Sequence, residues 1–206
     1  MEPLAWLLGA AGFVLGLAAD RLATRWPEHD EEHPPGRPVD WRTALVALVG
    51  AVAFGLLPLR FGVMAEPLAF VLFGAWFVTL VIGLATDLDQ RLLPDLLTVP
   101  AIPVALLYGL SGANPLVEGE VLLAIVAALA IPALLYLPSI PFGAGAFGLG
   151  DVKLLVGVGL MAGASRALGS VIFALALAGL VIVGLLLLRR VGQELVRQRN
   201  RRNQEN

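Results

Sequence analysis

Long apolar segments alternate with short polar ones along most of the chain. Seven apolar segments are predicted to form helices: residues 4–22, 43–59, 67–86, 95–112, 119–137, 152–164 and 167–188. Because a helix needs about 20 mostly apolar residues to cross ~30 Å of hydrocarbon, the pattern predicts an all-α polytopic bundle of about seven transmembrane helices. The sixth segment is short, and only residues 163–166 separate it from the seventh. A helical hairpin or one re-entrant segment is therefore an alternative to two separate spans.

Composition agrees with a membrane protein. The chain is 58% hydrophobic and 15% charged, and its mean hydropathy is +0.85, outside the range of soluble domains. No long polar block interrupts the apolar pattern, so residues 1–206 are predicted to form a single membrane domain. Cysteine is absent from the sequence, which excludes disulfides and a thiolate zinc site. The expected surroundings are a lipid bilayer, and no nucleic-acid partner is expected.

Lysine and arginine indicate an orientation, because they are enriched in cytoplasmic loops. With the N-terminus outside, twelve of the fourteen basic residues fall on the inner side and only Arg60 and Arg166 on the outer side. The sequence therefore predicts a multi-pass protein of the inner (cytoplasmic) membrane with a cytoplasmic C-terminus. Residues 25–41 form a short cytoplasmic loop in this arrangement, and residues 189–206 form a basic cytoplasmic tail.

Two acidic clusters lie at the predicted cytoplasmic ends of spans. Asp87 ends the third span and Asp151 opens the sixth, and an ionisable residue at membrane depth is by default a functional hypothesis. A helix C-terminus disfavours negative charge, so no structural need explains Asp87. Asp151 opens a helix, and an N-terminal capping role is an alternative for it. A carboxylate pair of this kind can perform acid–base chemistry.

Residues near the two aspartates have competing explanations. Asp89 and Arg91 are predicted to be loop residues with a solvated or paired role at the surface. Pro94 and Asp95 have the pattern of a helix start, so Asp95 has a structural and a functional interpretation of equal weight. The segment 142–150 is rich in glycine and has little side-chain bulk. Such a backbone can approach an extended peptide closely.

The segment Gly148-Leu149-Gly150-Asp151 resembles the GxGD signature of intramembrane aspartyl proteases. Together with Lys153 and the segment from Asp87 to Asp95, it makes residues 67–165 resemble the catalytic core of the prepilin peptidases, or type IV leader peptidases. The resemblance implies that Asp87 and Asp151 are the catalytic aspartates. Residues expected to support the site or bind substrate are Gly148, Gly150, Lys153, Asp89, Pro94 and Asp95.

The same resemblance implies a substrate. The family removes a short basic leader from type IV pilin-like and pseudopilin precursors at the cytoplasmic membrane face, cutting after a glycine that precedes the apolar pilin helix. No cofactor and no metal are expected. One carboxylate would activate water and the other would protonate the leaving group. Helix ends favour charge on Asp151 and disfavour it on Asp87, so Asp151 is expected to activate water.

The chain departs from the larger relatives, which carry a cysteine-rich zinc domain after the first helix and also methylate the new N-terminus. Its equivalent loop, residues 25–41, is short and free of cysteine, so N-methyltransferase activity is not expected. His29 and His33 flank an acidic stretch, but surrounding prolines and the lack of a third ligand favour a solvated loop over a metal site.

A proton-coupled membrane transporter that uses the same acids is the alternative function. The inverted repeat expected of such a protein is not visible in the sequence, and its acids would be expected in the middle of a span. The sequence does not specify the precursor or the oligomeric state.

Overall fold

The computed structural model describes residues 2–29, 31, 33–143 and 148–205, and every regular element in these ranges is helical. This confirms the predicted all-α class. A 3₁₀ turn, Ile140–Phe142, follows the fifth helix. The seven α-helices are α1 (Glu2–Ala23), α2 (Trp41–Arg60), α3 (Pro67–Gln90), α4 (Asp95–Leu110), α5 (Val121–Ser139), α6 (Leu149–Ala162) and α7 (Ala164–Glu205).

Five helices of the described chain are long and apolar enough to cross a bilayer: residues 3–23, 41–60, 67–90, 121–139 and 164–187. The remaining two, α4 and α6, are shorter, with 16 and 14 residues. A helix rises 1.5 Å per residue, so these two are shorter than the hydrocarbon thickness. The helices are those of a polytopic membrane bundle.

The chain divides into two compact units, Met1–Ala164 and Ser165–Asn206. The first unit contains α1 to α6. Glycine at position 163 has a φ of +76° and separates α6 from α7, so the two are distinct helices. The second unit consists of most of α7, whose apolar part reaches Leu187 and which continues as a helix through the predicted basic tail as far as Glu205.

Small residues let the helices of the first unit pack closely against one another. A Cβ added to Gly12 of α1 would lie 2.2 Å from the carbonyl oxygen of Gly50 in α2. In α6, a Cβ on Gly157 would lie 2.4 Å from the ring of Trp76, which belongs to α3. Close packing of this kind is typical of helix contacts in membranes.

The main apolar core of the first unit joins α2 to α6. Phe61 stacks on Phe73 with their ring centroids 4.3 Å apart, and Tyr108 meets Phe73 edge-on. Offset and edge-on aromatic pairs add stability beyond the apolar area they bury. Leu160 and Met161 bring α6 into the same core. The last turn of α6 thereby shares a core with α3 and α4.

Helix α3 extends four residues beyond the predicted end of its span. It ends at Gln90, and Arg91 caps it in the left-handed conformation (φ 55°) with its N–H bonded to the carbonyl oxygen of Asp87. Asp89 is therefore a helical residue, and its side chain is only 5% exposed. The predicted loop position and surface location of Asp89 were wrong, whereas the predicted alternative of a paired carboxylate is confirmed by its ion pair with Arg37.

The segment between α1 and α2 is packed onto the helices at several described positions. The side chains of His29 and Arg37 are only 5% and 13% exposed, and the N–H of Gly36 donates to the carbonyl oxygen of Thr24 over 2.9 Å. The prediction of a solvated loop was therefore wrong for His29 and Arg37. Positions 30 and 32 lie outside the described residues.

Candidate active site

The last turn of α3 and the first turn of α6 bring Asp87 and Asp151 to the wall of one cavity. Its volume is about 180 Å³, and the two carboxylates lie close enough to interact electrostatically. The rest of the wall is mostly apolar, so the carboxylates are the strongest polar groups of the cavity. Its other lining residues are Thr79, Leu80, Gly83, Leu84, Leu93, Leu97, Thr98 and Leu154.

Asp151 both caps the start of α6 and lines the cavity. Gly148 is the N-cap of α6 and Asp151 is its third residue, and the N–H of Gly148 donates to the carboxylate of Asp151. This contact is half of a capping box. It holds the carboxylate at the start of α6, while the side chain still lines the cavity.

Leu93 occupies the space between the two helices that carry the aspartates. A Cβ added to Gly150 would lie 2.8 Å from the Cβ of Leu93, and one added to Gly83 would lie 3.1 Å from its Cδ2. Gly83 precedes Asp87 by one helical turn, so both residues face the same side of α3. The absence of a side chain at Gly150 therefore admits Leu93. That the glycine-rich segment 142–150 approaches an extended peptide stays a prediction.

Pro94, Asp95 and Lys153 lie beside the cavity without lining it. Helix α4 begins at Asp95 with Pro94 as its N-cap, which confirms the predicted helix start. Lys153 donates to the Asp95 carboxylate and so joins α4 to α6. The side chain of Asp95 is 67% exposed and that of Lys153 is 32% exposed, so dissolved salt screens this ion pair.

Asp89 takes no part in the cavity. It follows Asp87 by two residues, which places the two carboxyls on opposite sides of α3. Arg37 Nε donates to Asp89 Oδ1 over 2.7 Å, and His29 Nε2 lies 3.3 Å from Asp89 Oδ2. Both oxygens of Asp89 are thus occupied.

Sequence reasoning missed Asp20 and Arg37. Asp20 is fully buried in the last turn of α1, and Arg37 Nη2 donates to its Oδ1 over 2.6 Å. A signal was available for Asp20, because it is the one acid inside the first apolar segment and ionisable residues in spans are costly. Arg37 had no signal, since its partners are distant in sequence.

The glycine-rich loop runs from residue 142 to residue 150. Residues 144–147 of the loop lie outside the described residues. Among those described, no group of three or more His, Asp or Glu side chains is arranged to hold a metal ion.

An apolar groove of about 270 Å³ runs between α3 and α4. Thr79 and Leu97 line both this groove and the cavity that holds the aspartates. The two spaces are therefore neighbours along the same pair of helices. Apart from these two residues the groove is lined by Leu72, Ala75, Trp76, Leu96, Pro100, Ala101, Val104, Ala105 and Met161.

Comparison with known families agrees with this geometry. The sequence model of the type IV leader peptidase family matches residues 72–184, which is more than half of the chain and includes both cavity aspartates. The chain belongs to the type IV leader peptidase family. It is therefore a leader peptidase-like protease and a multi-pass membrane protein, as the resemblance implied.

The family match and the predicted core differ at their ends. The match begins within α3 and extends into α7, whereas the core predicted for this leader peptidase was residues 67–165. No significant match was found among curated proteins or among solved structures.

Proposed function

We propose that this leader peptidase is an aspartic endopeptidase whose catalytic pair is Asp87 and Asp151. Its substrates are type IV pilin-like or pseudopilin precursors, cut at the cytoplasmic face of the inner membrane. The observation that carries the proposal is the common cavity, to which two different helices each contribute one carboxyl group. Membership of the peptidase family supports the same reaction.

The reaction follows from the position of each carboxyl group. Two close carboxyls do not both ionise readily, so the pair shares a proton. Asp151 lies at the positive end of α6 and accepts the Gly148 N–H, which favours its charged form over that of Asp87. It takes a proton from water as the water oxygen bonds to the scissile carbonyl carbon. Asp87, near the negative end of α3, gives its proton to the amide nitrogen as the C–N bond breaks.

The apolar groove supports a substrate with an apolar helix. A precursor whose cleavage site adjoins such a helix can place the helix along α3 and α4 and its scissile bond in the cavity. The shared residues Thr79 and Leu97 make the two spaces adjacent. The groove would thereby contribute to binding, while the aspartates act on the peptide bond.

A proton-coupled transporter is less well supported. Asp87 lies in the last turns of α3 and Asp151 in the first turn of α6, whereas a transport relay is expected near the middle of the membrane. The family match is to peptidases.

The test is cleavage by the purified protein in detergent, with a pilin-like precursor as substrate and S-adenosylmethionine present. We expect mass spectrometry to find a leader cut after a glycine and a mature N-terminus without a methyl group. If precursors of every pilin class remained uncut, the proposed activity would be contradicted. A methylated product would contradict only the proposed lack of N-methyltransferase activity.

The proposed orientation has its own test, since the chain contains no cysteine that would give background labelling. The basic residues favour a cytoplasmic location for the turn after α3 and an external one for the turns after α2 and α4. We expect a membrane-impermeant thiol reagent to label Ala113→Cys and Met64→Cys from outside and Leu92→Cys only after permeabilisation. All three positions are exposed. External labelling of Leu92→Cys would reverse the topology.

A further inference from the structure

The guanidinium of Arg37 joins three helices. Its Nε donates to Asp89 of α3 over 2.7 Å, its Nη2 donates to Asp20 of α1 over 2.6 Å, and its Nη1 donates to Asp40, the N-cap of α2. Each nitrogen thus serves a different helix. A planar guanidinium can hold such a fixed set of partners, whereas a lysine ammonium is a single point charge.

The surroundings keep this arrangement charged and rigid. Burial alone would lower the pKa of Arg37, but Asp89, Asp20 and Asp40 outweigh burial and raise it above its ordinary value. The side chains of Asp20 and Asp89 are 1% and 5% exposed. Removing one partner of a buried ion pair leaves an uncompensated charge, so each of these contacts is costly to break.

Asp89 is the member of this cluster that lies next to the proposed catalytic pair. The turn of α3 that presents Asp87 to the cavity presents Asp89 to Arg37 and His29 on its other side. Gln90 adds a further bond between α3 and α1, because its side-chain amide donates to the carbonyl oxygen of Ala23 over 3.0 Å. Because a helical turn is stiff, a restraint on Asp89 also restrains the backbone that carries Asp87.

We propose that Arg37 is a positioning residue for proteolysis, one that acts through Asp89 to set the orientation of Asp87. The inference rests on the proposed function, because it assigns Arg37 a task in that reaction. It gives the segment between α1 and α2 a role at the active site without contact to substrate. Asp20 and Asp40 anchor the arginine, and Asp89 transmits its position to α3.

The experiment compares two truncations of the same cluster, Asp89→Ala and Asp20→Ala. Asp20 accepts bonds from Arg21, Arg37 and Thr43, so its loss should lower the melting temperature at least as much as the loss of Asp89. If Arg37 positions Asp87, Asp89→Ala should lower kcat about tenfold or more with little change in KM, because small displacements of a reacting group are costly. Asp20→Ala should lower kcat much less, because Arg37 keeps its contacts with Asp40 and Asp89.

A spectroscopic measurement tests the inference without relying on turnover. The carboxyl band of Asp87, assigned by difference with Asp87→Asn, is expected to shift in Asp89→Ala and to stay in place in Asp20→Ala. Arg37→Gln should behave like Asp89→Ala, with Arg25→Gln, an exposed arginine of the same loop, as the control for lost charge.

Equal losses of kcat in the two aspartate variants, in proportion to their losses of melting temperature, would overturn the inference and leave the cluster a stabilising element only. An unmoved Asp87 band in Asp89→Ala would also overturn it. Wild-type cleavage in the same assay tests the proposed function separately.

Discussion

Replacing either Asp87 or Asp151 with asparagine is expected to reduce precursor cleavage by roughly a thousandfold or more, because residues that act as a unit lose most of their effect when one is removed. Asparagine retains the shape of aspartate but can neither take a proton from water nor hold the proton that the pair shares. Both side chains line the cavity, and neither contributes to the main apolar core. The variants should therefore insert and fold normally. Initial rates with a pilin-like precursor, at matched protein levels, measure the effect.

Asp95→Asn is the matched control, because Asp95 is an exposed carboxylate near the cavity with Lys153 as its partner. Surface ion pairs contribute little, so its cleavage rate should stay close to that of the wild type. Substantial cleavage by Asp87→Asn or by Asp151→Asn would remove that residue from the catalytic pair. An inactive Asp89→Asn beside an active Asp87→Asn would transfer the role to Asp89, despite the two partners that occupy its oxygens.

Gly150→Ala is expected to lower cleavage about tenfold to a hundredfold, because an error of about 1 Å in a reacting group can cost a hundredfold in rate. The new Cβ would lie 2.8 Å from the Cβ of Leu93 and 3.3 Å from its carbonyl oxygen. Neither atom is the end of a flexible side chain, so the first turn of α6 has to move. That turn carries Asp151. Overpacking also costs roughly 1–3 kcal/mol of stability, which thermal unfolding would detect.

Gly83→Ala is the matched control for this prediction. It makes the same change against the same leucine, but its nearest contact is the terminal Cδ2 of Leu93 at 3.1 Å, which can rotate away. Alanine is also favoured over glycine inside a helix by about 0.5–1 kcal/mol, so stability should change little. If Gly150→Ala cleaved as fast as Gly83→Ala, the contact between Gly150 and Leu93 would not be what aligns Asp151.

The sequence by itself determined the helical membrane fold and the family. Hydrophobic periodicity and segment length are local properties, so helix starts could be predicted to within a few residues, as at Pro67 and Asp95. The positions of Asp87 and Asp151 at helix ends also followed from local pattern. Two spans separate them, which returns the chain to the same end of the bundle, and the structure places both at one cavity.

Only the tertiary structure decided how that end of the bundle is held together. Asp89 was predicted to lie in a loop, because a carboxylate after an apolar segment normally lies in water. Arg37, which is 52 positions away in sequence, makes its burial favourable and lets α3 continue to Gln90. Leu93 likewise packs against Gly150, although α4 and α5 separate the two residues in the sequence. Such contacts depend on which helices become neighbours, and no periodicity within a single segment encodes that choice.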